Sequence, residues 1–296
     1  MRWGLVGTGP WARMVHAPSL SGRLVAIWGR DATKRDSLAR DFGVRASESL
    51  DDLLDSVDAV SLAVAPSAQA GIAERALARG RHLLVEKPVS TDSGVVQRLA
   101  GGIPAGVMAV VFVTRLFDPV RAAWLRDSIG RDYDHADVEW VSSSLTPGSP
   151  YADSQWRKNP GGIVWDLMPH ILSQIVPVLG EVVDAELADW PERDGKRARL
   201  RHRGGAVTDV RMTLRANPGQ RAEWIRFSGR DGSSVSPARA LDFVAAHQNA
   251  VLAIERGARL DDDPLLQAAT VASAIAPTRI MSAITAVGHW APGKEQ

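Results

Sequence analysis

The sequence predicts a two-domain protein, in which a doubly wound α/β domain built on a parallel sheet precedes an α+β domain built on a largely antiparallel sheet. Three observations predict this class. Short apolar runs alternate with helix-length amphipathic segments up to about residue 113, glycines follow the first run directly, and the rhythm changes after Arg115. Such alternation is typical of βαβ units. We therefore predict domains over residues 1–115 and 116–296, with the last helix a candidate to pack back on the first domain.

The first domain contains six candidate strands, which are Arg2–Val6, Leu24–Trp28, a weak run near Val44, Ala59–Ala65, His82–Val85 and Val107–Val113. Two candidate helices between them, Ala32–Phe42 and Gly71–Arg79, are each followed by a glycine, Gly43 and Gly80. Glycine adopts the left-handed conformation that ends many helices without steric cost. The pattern predicts a parallel sheet with helices as its connections.

The second domain begins with a helix-like stretch over Pro119–Ile129, a strand-like stretch over Ala136–Leu145 and a Gly/Pro-rich loop over Thr146–Gly162. Short polar turns then join four strand-length runs, which predicts antiparallel pairing. These runs are Val182–Trp190, Arg197–His202, Ala206–Leu214 and Ala222–Ser228. Two helical segments close the chain. The acidic run Asp261–Asp263 before Pro264 is interpreted as the N-terminus of the last helix rather than as a calcium site.

The composition favours a protein that acts on small molecules. The chain has 35 basic and 34 acidic residues and a formal net charge of +1, so no global field attracts nucleic acid or an anionic membrane. It has no cysteine, which excludes disulfides, thiol nucleophiles and thiolate metal sites and favours the cytoplasm. We recognise no signal peptide and no apolar run that approaches a membrane span. The histidines show no metal-site spacing, so we predict no metal.

The glycines after the first strand form the segment Gly7-Thr8-Gly9-Pro10-Trp11-Ala12. It matches the Gly-x-Gly-x-x-Gly/Ala pattern, in which a tight turn brings backbone N–H groups at a helix N-terminus close to a pyrophosphate. The motif alone is weak, and a strand-to-helix turn without a ligand is the alternative. Its position between a strand and a helical segment favours a Rossmann domain that binds a dinucleotide.

The end of the second strand indicates which dinucleotide is preferred. NAD-binding domains usually place a carboxylate there to accept hydrogen bonds from the ribose hydroxyls. This strand instead ends Trp28-Gly29-Arg30, and a guanidinium suits a 2′-phosphate. We therefore predict NADP, with NAD possible, and assign Arg30 to the cofactor, helped by Lys34 or Arg35. The alternative is that Arg30 is a solvated loop residue.

Two later segments point to an activity. Glu86-Lys87-Pro88 follows the fifth strand, at the edge where open α/β sheets bind ligands. Farther on, Gly161-Gly162 is followed by Asp166 and His170 in a Gly-Gly-x-x-x-Asp-x-x-x-His pattern. With the glycine turn and Thr114-Arg115-Leu116-Phe117 at the domain junction, the chain resembles the glucose-fructose oxidoreductase and inositol dehydrogenase family, often written Gfo/Idh/MocA.

The resemblance implies a hydride transfer between a nicotinamide and a carbinol or carbonyl. It implies that Lys87 and His170 act on the oxygen of that group while Asp166 positions it, and that the Lys87–Pro88 bond is cis. Such a reaction needs a cation to stabilise alkoxide character and a group that moves a proton near neutral pH. The cofactor-binding residues that we predict are the glycine turn, Arg30, Ala65, Pro66, Gln69, Glu86, Lys87, Arg115, Trp156 and Arg157.

Each catalytic candidate has a structural alternative. Lys87 is otherwise a surface lysine after a strand, and His170 a core histidine. Asp166 is otherwise the N-cap of a helix that starts near Pro169, because proline inside a helix removes a hydrogen bond. If the segment is helical throughout, Asp166 and His170 lie one turn apart on the same face. If the helix begins near Pro169, the two residues approach through a turn.

The chain also departs from the family. Where members often carry Pro-x-x-His after the fourth strand, this sequence has Pro66-Ser67-Ala68-Gln69, which predicts an altered contact near the cofactor. We expect an NADP-dependent dehydrogenase or reductase that acts on a sugar, cyclitol or related alcohol or ketone. The alternatives are a nicotinamide-dependent glycosidase on the same fold and a non-catalytic NADP sensor. The resemblance also makes a homo-oligomer possible; we expect no nucleic-acid or membrane partner.

Overall fold

The chain folds into two compact units, each with one β-sheet, in a computed structural model that describes residues 1–238, 240–257 and 262–290. The first unit comprises Met1–Asp118 and Leu241–Ile275, and the second comprises Pro119–Ala240 and the chain from Ala276. The division predicted at residue 115 therefore needs a correction, because the segment Leu241–Ile275 returns to the first unit.

The first unit contains a six-stranded parallel sheet in the order β3-β2-β1-β4-β5-β6. The strands are β1 (Trp3–Val6), β2 (Leu24–Trp28), β3 (Arg45–Ala46), β4 (Ala59–Leu62), β5 (His82–Glu86) and β6 (Ala109–Phe112). All six predicted strands are confirmed. Every residue of β1, β4 and β6 is buried, as expected for a sheet covered on both faces. The strand order is that of a Rossmann domain, in which ligands bind outside the carboxyl ends of the strands.

Helices connect these strands. Helical backbone begins at Pro10, passes through a π-helical turn over Ala12–His16 and continues as α1 (Ala17–Ser19). The other helices before residue 118 are α2 (Ala32–Phe42), α3 (Leu50–Asp55), α4 (Pro66–Leu77), α5 (Ser93–Gly101) and α6 (Thr114–Phe117). Single π-helical turns are frequent at functional sites, and this one directly follows the glycine segment.

Of the two helices predicted in the first domain, one has the predicted bounds and the other does not. The bounds of α2 are as predicted: Asp31 accepts a hydrogen bond from the Lys34 N–H at 3.0 Å, and Gly43 is left-handed with φ 64°. In contrast, α4 begins at Pro66 rather than at residue 71, because proline is favoured at the first helical position. It ends at Leu77, so Gly80, also left-handed, follows the helix instead of capping it.

The second unit contains a seven-stranded sheet in the order β12-β11-β7-β10-β9-β8-β13. Its strands are β7 (Tyr133–Val141), β8 (Val182–Trp190), β9 (Gly195–His202), β10 (Val207–Thr213), β11 (Ala222–Gly229), β12 (Gly232–Val235) and β13 (His289–Trp290). Among the described strands of this sheet only β7 and β10 pair in parallel, so the predicted antiparallel character is confirmed. The strand predicted over 136–145 lies slightly earlier, and β12 and β13 were not predicted.

The remaining helices are α7 (Pro119–Ser128), α8 (Gln155–Lys158), α9 (Gly162–Leu179), α10 (Phe243–Glu255), α11 (Pro264–Ala268) and α12 (Ile275–Val287). Three helices rather than the predicted two therefore follow residue 241 within the described part of the chain. Asp263 caps α11 by accepting from the Leu265 N–H at 3.0 Å, as predicted for an acidic N-terminus. Asp261 of the same run lies outside the described residues.

Helix α9 corrects one expectation from the sequence. Among the described residues it is the one helix long and apolar enough to cross a membrane, with a mean hydropathy of 1.3. However, 72% of it is buried inside the protein. A core helix of a globular domain has the same composition when both of its sides are covered. The apolar character of α9 is therefore weak evidence for a membrane span.

Candidate functional site

The glycine turn after β1 adopts a conformation that requires its first glycine. Gly7 has φ 124°, and a Cβ atom at this position would overlap the carbonyl oxygen of Ala63, which follows β4. The Gly7 N–H donates to the carbonyl of Trp28 at 2.9 Å, which ties the turn to the end of β2. The carboxyl ends of β1, β2 and β4 therefore meet around this turn.

The second glycine leaves open space instead. A Cβ atom on Gly9 would meet no atom within 4 Å, and Gly9 is exposed at the start of the helix. In the described structure, the N–H groups of Thr8 and Gly9 make no backbone hydrogen bond. Open N–H groups at a helix N-terminus attract an anion, so these residues fit a dinucleotide pyrophosphate. Ala12, in the place of the third glycine, is fully buried.

Glu86 connects the glycine turn to Lys87. Its Oε1 accepts a hydrogen bond from the indole N–H of Trp11 at 2.6 Å, and its Oε2 accepts from the backbone N–H of Lys87 at 3.2 Å. The Trp11 ring also packs edge-on against Phe243 of α10, with ring centroids 5.2 Å apart. The Lys87–Pro88 bond is cis, as the resemblance implied. One carboxylate thus holds the first turn of the cofactor helix and the backbone of the candidate catalytic lysine.

Gln69 of α4 holds the other side of this loop. Its Oε1 accepts from the Glu86 N–H at 3.0 Å, and its Nε2 lies 2.5 Å from the Glu86 carbonyl and 3.1 Å from the Pro88 carbonyl. The side chain is fully buried. The direct contact with the cofactor predicted for Gln69 therefore needs a correction, because a side chain without exposed surface positions the loop rather than touching a ligand.

Arg30 is exposed immediately beyond β2, where the cofactor ribose was predicted to lie. Within the described residues it makes no side-chain hydrogen bond or ion pair, whereas both of its predicted helpers do. Lys34 lies 3.3 Å from the Asp31 carboxylate, and Arg35 lies 2.7 Å from that of Asp36. Arg30 is therefore the basic residue of this group that can turn to an added phosphate at least cost.

In the second unit, two glycines fix the start of α9. Gly161 is left-handed, with φ 79°, and a Cβ atom there would overlap the side chain of Thr285. A Cβ atom on Gly162 would overlap the carbonyl oxygen of Arg157. These close approaches bring α8, which carries Arg157, against the first turn of α9. The predicted loop over 146–162 thus ends in a helix pair.

Arg157 and Asp166 form an ion pair across this helix pair. Nε and Nη2 of Arg157 donate to the two carboxylate oxygens of Asp166 at 2.9 and 3.3 Å, while Nη1 donates to the Ser154 hydroxyl at 3.2 Å. The guanidinium also lies over the rings of Tyr151 and Trp156, at 4.7 and 4.3 Å from their centroids. This planar, bidentate arrangement fixes both charges. No local sequence pattern indicates the Arg157–Asp166 pairing.

His170 lies one turn after Asp166 in α9, which is helical from Gly162 onward. The alternative in which Asp166 caps a helix starting near Pro169 is therefore wrong. Pro169 is tolerated inside the helix. The His170 ring stacks on Trp140 of β7, with centroids 5.4 Å apart and planes 16° apart. The stacking holds the imidazole in one orientation.

For the other predicted cofactor residues, the structure gives their position and burial but does not test a contact with the cofactor. Ala65 is exposed as the residue before α4, Pro66 begins that helix, and Arg115 is buried in α6. Their contacts with a cofactor stay predictions, as do those of Trp156 and Arg157. No group of three metal-ligating side chains was found among the described residues.

Sequence reasoning missed a buried group beneath the glycine turn. His16, in the π-helical turn, lies 3.1 Å from Oε1 of Glu86 and 3.1 Å from His247 of α10. Ser19 and Ser61 complete the group. No sequence signal identified His247, because 231 residues separate it from His16.

Residues 1–101 match the model of an oxidoreductase family with an NAD-binding Rossmann fold. UDP-N-acetylglucosamine 3-dehydrogenase of Acidithiobacillus ferrooxidans is 34% identical over 103 residues, which are 34% of this chain and 33% of that protein. Matches to the first three curated relatives cover between 33% and 56% of their own lengths.

Solved structures extend the similarity to both units. A putative myo-inositol dehydrogenase from Sinorhizobium meliloti matches with a TM-score of 0.77 and 20% identity over 98% of this chain and 99% of that one. GenD2 from gentamicin A biosynthesis, in complex with NAD, matches with a TM-score of 0.79 and 20% identity over 98% and 95%. At such identities the likeness concerns the fold.

Fold and site define a two-domain protein whose first domain is of the NAD-binding Rossmann class. Residues 1–101 match the model of the Gfo/Idh/MocA oxidoreductase family, in agreement with the resemblance that the sequence indicates.

Proposed function

We propose that the protein is an NADP-dependent oxidoreductase, which transfers a hydride between the nicotinamide and a sugar, cyclitol or related alcohol or ketone. The observation that carries this proposal is the Trp11–Glu86–Lys87 connection. Glu86 hydrogen-bonds both to Trp11 in the turn that fits a pyrophosphate and to the backbone of Lys87, which would act on the substrate. These residues lie at the carboxyl edge of the parallel sheet, where such sheets bind ligands.

The preference for NADP rests on Arg30. A 2′-phosphate beside β2 would add a charge of about −2, and the exposed Arg30 guanidinium supports this proposal because it can bind a phosphate with parallel N–H groups. A ribose with a free 2′-hydroxyl would be better served by a carboxylate, and Trp28-Gly29 supplies none at the strand end. The comparison structures named with NAD leave NAD as the alternative.

When bound, the coenzyme accepts or donates the hydride at its nicotinamide ring. The protein must then stabilise the substrate oxygen and move its proton. Lys87 supplies a positive charge at the end of β5, and His170 supplies an imidazole, a side chain that commonly acts as general acid or base. In the alcohol-to-ketone direction, the hydroxyl proton leaves to one of these side chains as the hydride leaves carbon.

For Asp166 we propose a different part from the one that the resemblance implies. Both of its carboxylate oxygens bind the Arg157 guanidinium, and its side chain is 6% exposed. It is therefore a positioning residue for Arg157. That guanidinium, between Tyr151 and Trp156, presents a flat charged and aromatic surface of the kind that binds a polar ring.

The substrate class follows from named relatives and from this surface. Several relatives carry names of dehydrogenases or reductases of sugars and nucleotide sugars. We expect the substrate to be a small molecule and the protein to act in the cytoplasm. A homo-oligomer is possible, and we expect no nucleic-acid or membrane partner.

The test measures absorbance of reduced nicotinamide with purified protein, both coenzymes, and a panel of sugars, cyclitols and their keto forms. We expect turnover with at least one substrate, faster with the NADP couple. Lys87→Ala and His170→Ala abolish turnover and leave coenzyme binding nearly intact. Matched controls are Lys196→Ala in β9 and His135→Ala in β7, which keep normal turnover.

Other outcomes identify the alternatives. Release of sugar from a glycoside without net coenzyme oxidation indicates a glycosidase. Coenzyme binding without turnover across the panel indicates a sensor. Normal turnover of Lys87→Ala or His170→Ala removes that residue from the reaction.

A further inference from the structure

Thr8, inside the glycine turn, packs against Gly29 at the end of β2. A Cβ atom on Gly29 would lie 2.6 Å from Cγ2 of Thr8 and 3.2 Å from its Oγ1. Carbon atoms that are not bonded prefer a separation of about 3.5–4.0 Å, so the first distance is a steric overlap. Gly29 is buried and Thr8 is half-buried. The Thr8 side chain therefore occupies the volume of the side chain that Gly29 lacks.

Rotation of Thr8 about χ1 does not clear this volume. Threonine carries two heavy atoms on Cβ, and here both of them face Gly29. Because the hydrogen can take only one of the staggered positions, every rotamer leaves a heavy atom at 2.6 or 3.2 Å from the Cβ position of residue 29. The backbone itself permits a side chain there, since the φ of Gly29 lies outside the left-handed range. The contact with Thr8 is thus what favours glycine.

Residue 29 holds the position from which an NAD-binding domain contacts the adenosine ribose. In such domains, a carboxylate about 20 residues beyond the glycine turn accepts hydrogen bonds from the ribose hydroxyls. Counting from Gly9 along this chain reaches Gly29, directly before Arg30. A carboxylate on residue 29 would start inside the volume that Thr8 fills. The residue at position 8 therefore decides whether position 29 can carry the carboxylate.

The neighbouring charged groups do not replace that carboxylate. Asp31 accepts a hydrogen bond from the Lys34 N–H at 3.0 Å and lies 3.3 Å from the Lys34 ammonium, so it serves as the cap of α2. Within the described residues, neither the Thr8 hydroxyl nor the Arg30 guanidinium makes a side-chain hydrogen bond. A hydroxyl and a guanidinium suit a phosphate oxygen, because both donate hydrogen bonds.

We propose that Thr8 is a coenzyme-specificity residue, which excludes a carboxylate from position 29 and so leaves Arg30 to meet the 2′ substituent of the ribose. This inference rests on the proposed function, because it concerns the coenzyme of that reaction. It makes positions 8 and 29 one element. Cβ of Thr8 lies 3.5 Å from the Cβ position of residue 29, an ordinary contact, so alanine at position 8 leaves room for a side chain at position 29.

The first test measures unfolding in urea without any ligand. Gly29→Ala adds the one methyl group that overlaps Thr8, and we expect it to raise the equilibrium constant of unfolding about tenfold. In a Thr8→Ala background, the same substitution should change this constant by less than about twofold, because the overlap is gone. Gly71→Ala, at an open position of α4, is the matched control and should have the same effect in both backgrounds. An equal effect of Gly29→Ala in both backgrounds overturns the proposal.

The second test measures the affinities for NADPH and NADH by calorimetry. We expect Gly29→Asp to weaken NADPH binding at least about tenfold, because like charges then face each other, and to gain no affinity for NADH. The double variant Thr8→Ala/Gly29→Asp should bind NADH at least about tenfold more tightly than Gly29→Asp does, since its carboxylate can reach the ribose hydroxyls. Thr8→Ala alone should keep the NADPH affinity to within about threefold, because it retains the backbone N–H groups of the turn and Arg30.

The outcomes separate this inference from the proposed function. If Gly29→Asp binds NADH as tightly as the double variant does, Thr8 excludes nothing and the inference is wrong, while NADPH binding by the wild type still supports the proposed function. If the wild type binds neither coenzyme, the proposed function fails, and the specificity role fails with it even where the unfolding measurements show the packing.

Discussion

Replacing Gln69 by alanine tests how the loop that carries Lys87 is held. The side chain is fully buried and bonds both the N–H and the carbonyl of Glu86 as well as the carbonyl of Pro88. Alanine leaves these backbone groups without their partner and opens a small cavity. Each buried unsatisfied group costs about 1–3 kcal/mol, so we expect the loop to be destabilised by about 3 kcal/mol in total.

Native-state hydrogen exchange measures this effect locally. Since about 1.4 kcal/mol corresponds to tenfold in an equilibrium constant, the Glu86 amide of Gln69→Ala should exchange about 100-fold faster than in the wild type. The matched control is Gln97→Ala, at an exposed position of α5, which leaves that amide unchanged. Turnover should fall in Gln69→Ala as Lys87 loses its fixed position. If exchange at Glu86 is unchanged, Gln69 does not hold the loop.

Three further predictions follow from the site and the buried histidines. Arg30→Ala should weaken NADPH binding about tenfold and leave NADH binding nearly unchanged; an equal effect on both coenzymes removes Arg30 from the 2′-phosphate site. Asp166→Asn and Arg157→Ala should each lower turnover, and the double variant should be no slower than either, because the two residues act as one pair; additive losses contradict this coupling. Burial lowers the pKa values of three histidines, so the unfolded chain binds more protons below about pH 6.5 and the free energy of unfolding should decrease as the pH falls from about 6.5. These are His82, His202 and His247. Urea unfolding across this range checks the slope, which His202→Gln should reduce; stability that rises on acidification contradicts the pKa assignment.

Local patterns predicted most of the fold. The strands of the first sheet are apolar runs bounded by turns, and Leu24–Trp28 was predicted with its observed ends. The bounds of helix α2 were also predictable, because the residues that cap it, Asp31 and Gly43, are recognisable in the sequence as helix start and stop signals. The start of α4 was missed because Pro66 was not used as a first-turn residue, although it is a recognised signal.

Features that depend on long-range contacts were less predictable. The return of residues 241–275 to the first unit, and with it the pairing of His247 with His16, leaves no local pattern. The Arg157–Asp166 pair spans only nine residues, yet it depends on the close approach that Gly161 and Gly162 permit. The predicted contact of Gln69 with the cofactor came from its place in a family motif. Its complete burial and its hydrogen bonds instead place it against the backbone of the loop that carries Lys87.

Gly9 provides the most direct test of the central claim, that the turn after β1 binds a dinucleotide. Its side-chain position is open, and its φ lies outside the left-handed range, so Gly9→Ala should fold with an unchanged melting temperature. Gly71→Ala, at another open position in α4, is the matched control. We predict that calorimetric titration shows NADPH binding by the wild type and by Gly71→Ala, and binding at least about tenfold weaker by Gly9→Ala, because the added methyl occupies the space of the pyrophosphate. Wild-type affinity in Gly9→Ala, or no binding of NADPH or NADH by the wild type, would contradict the account.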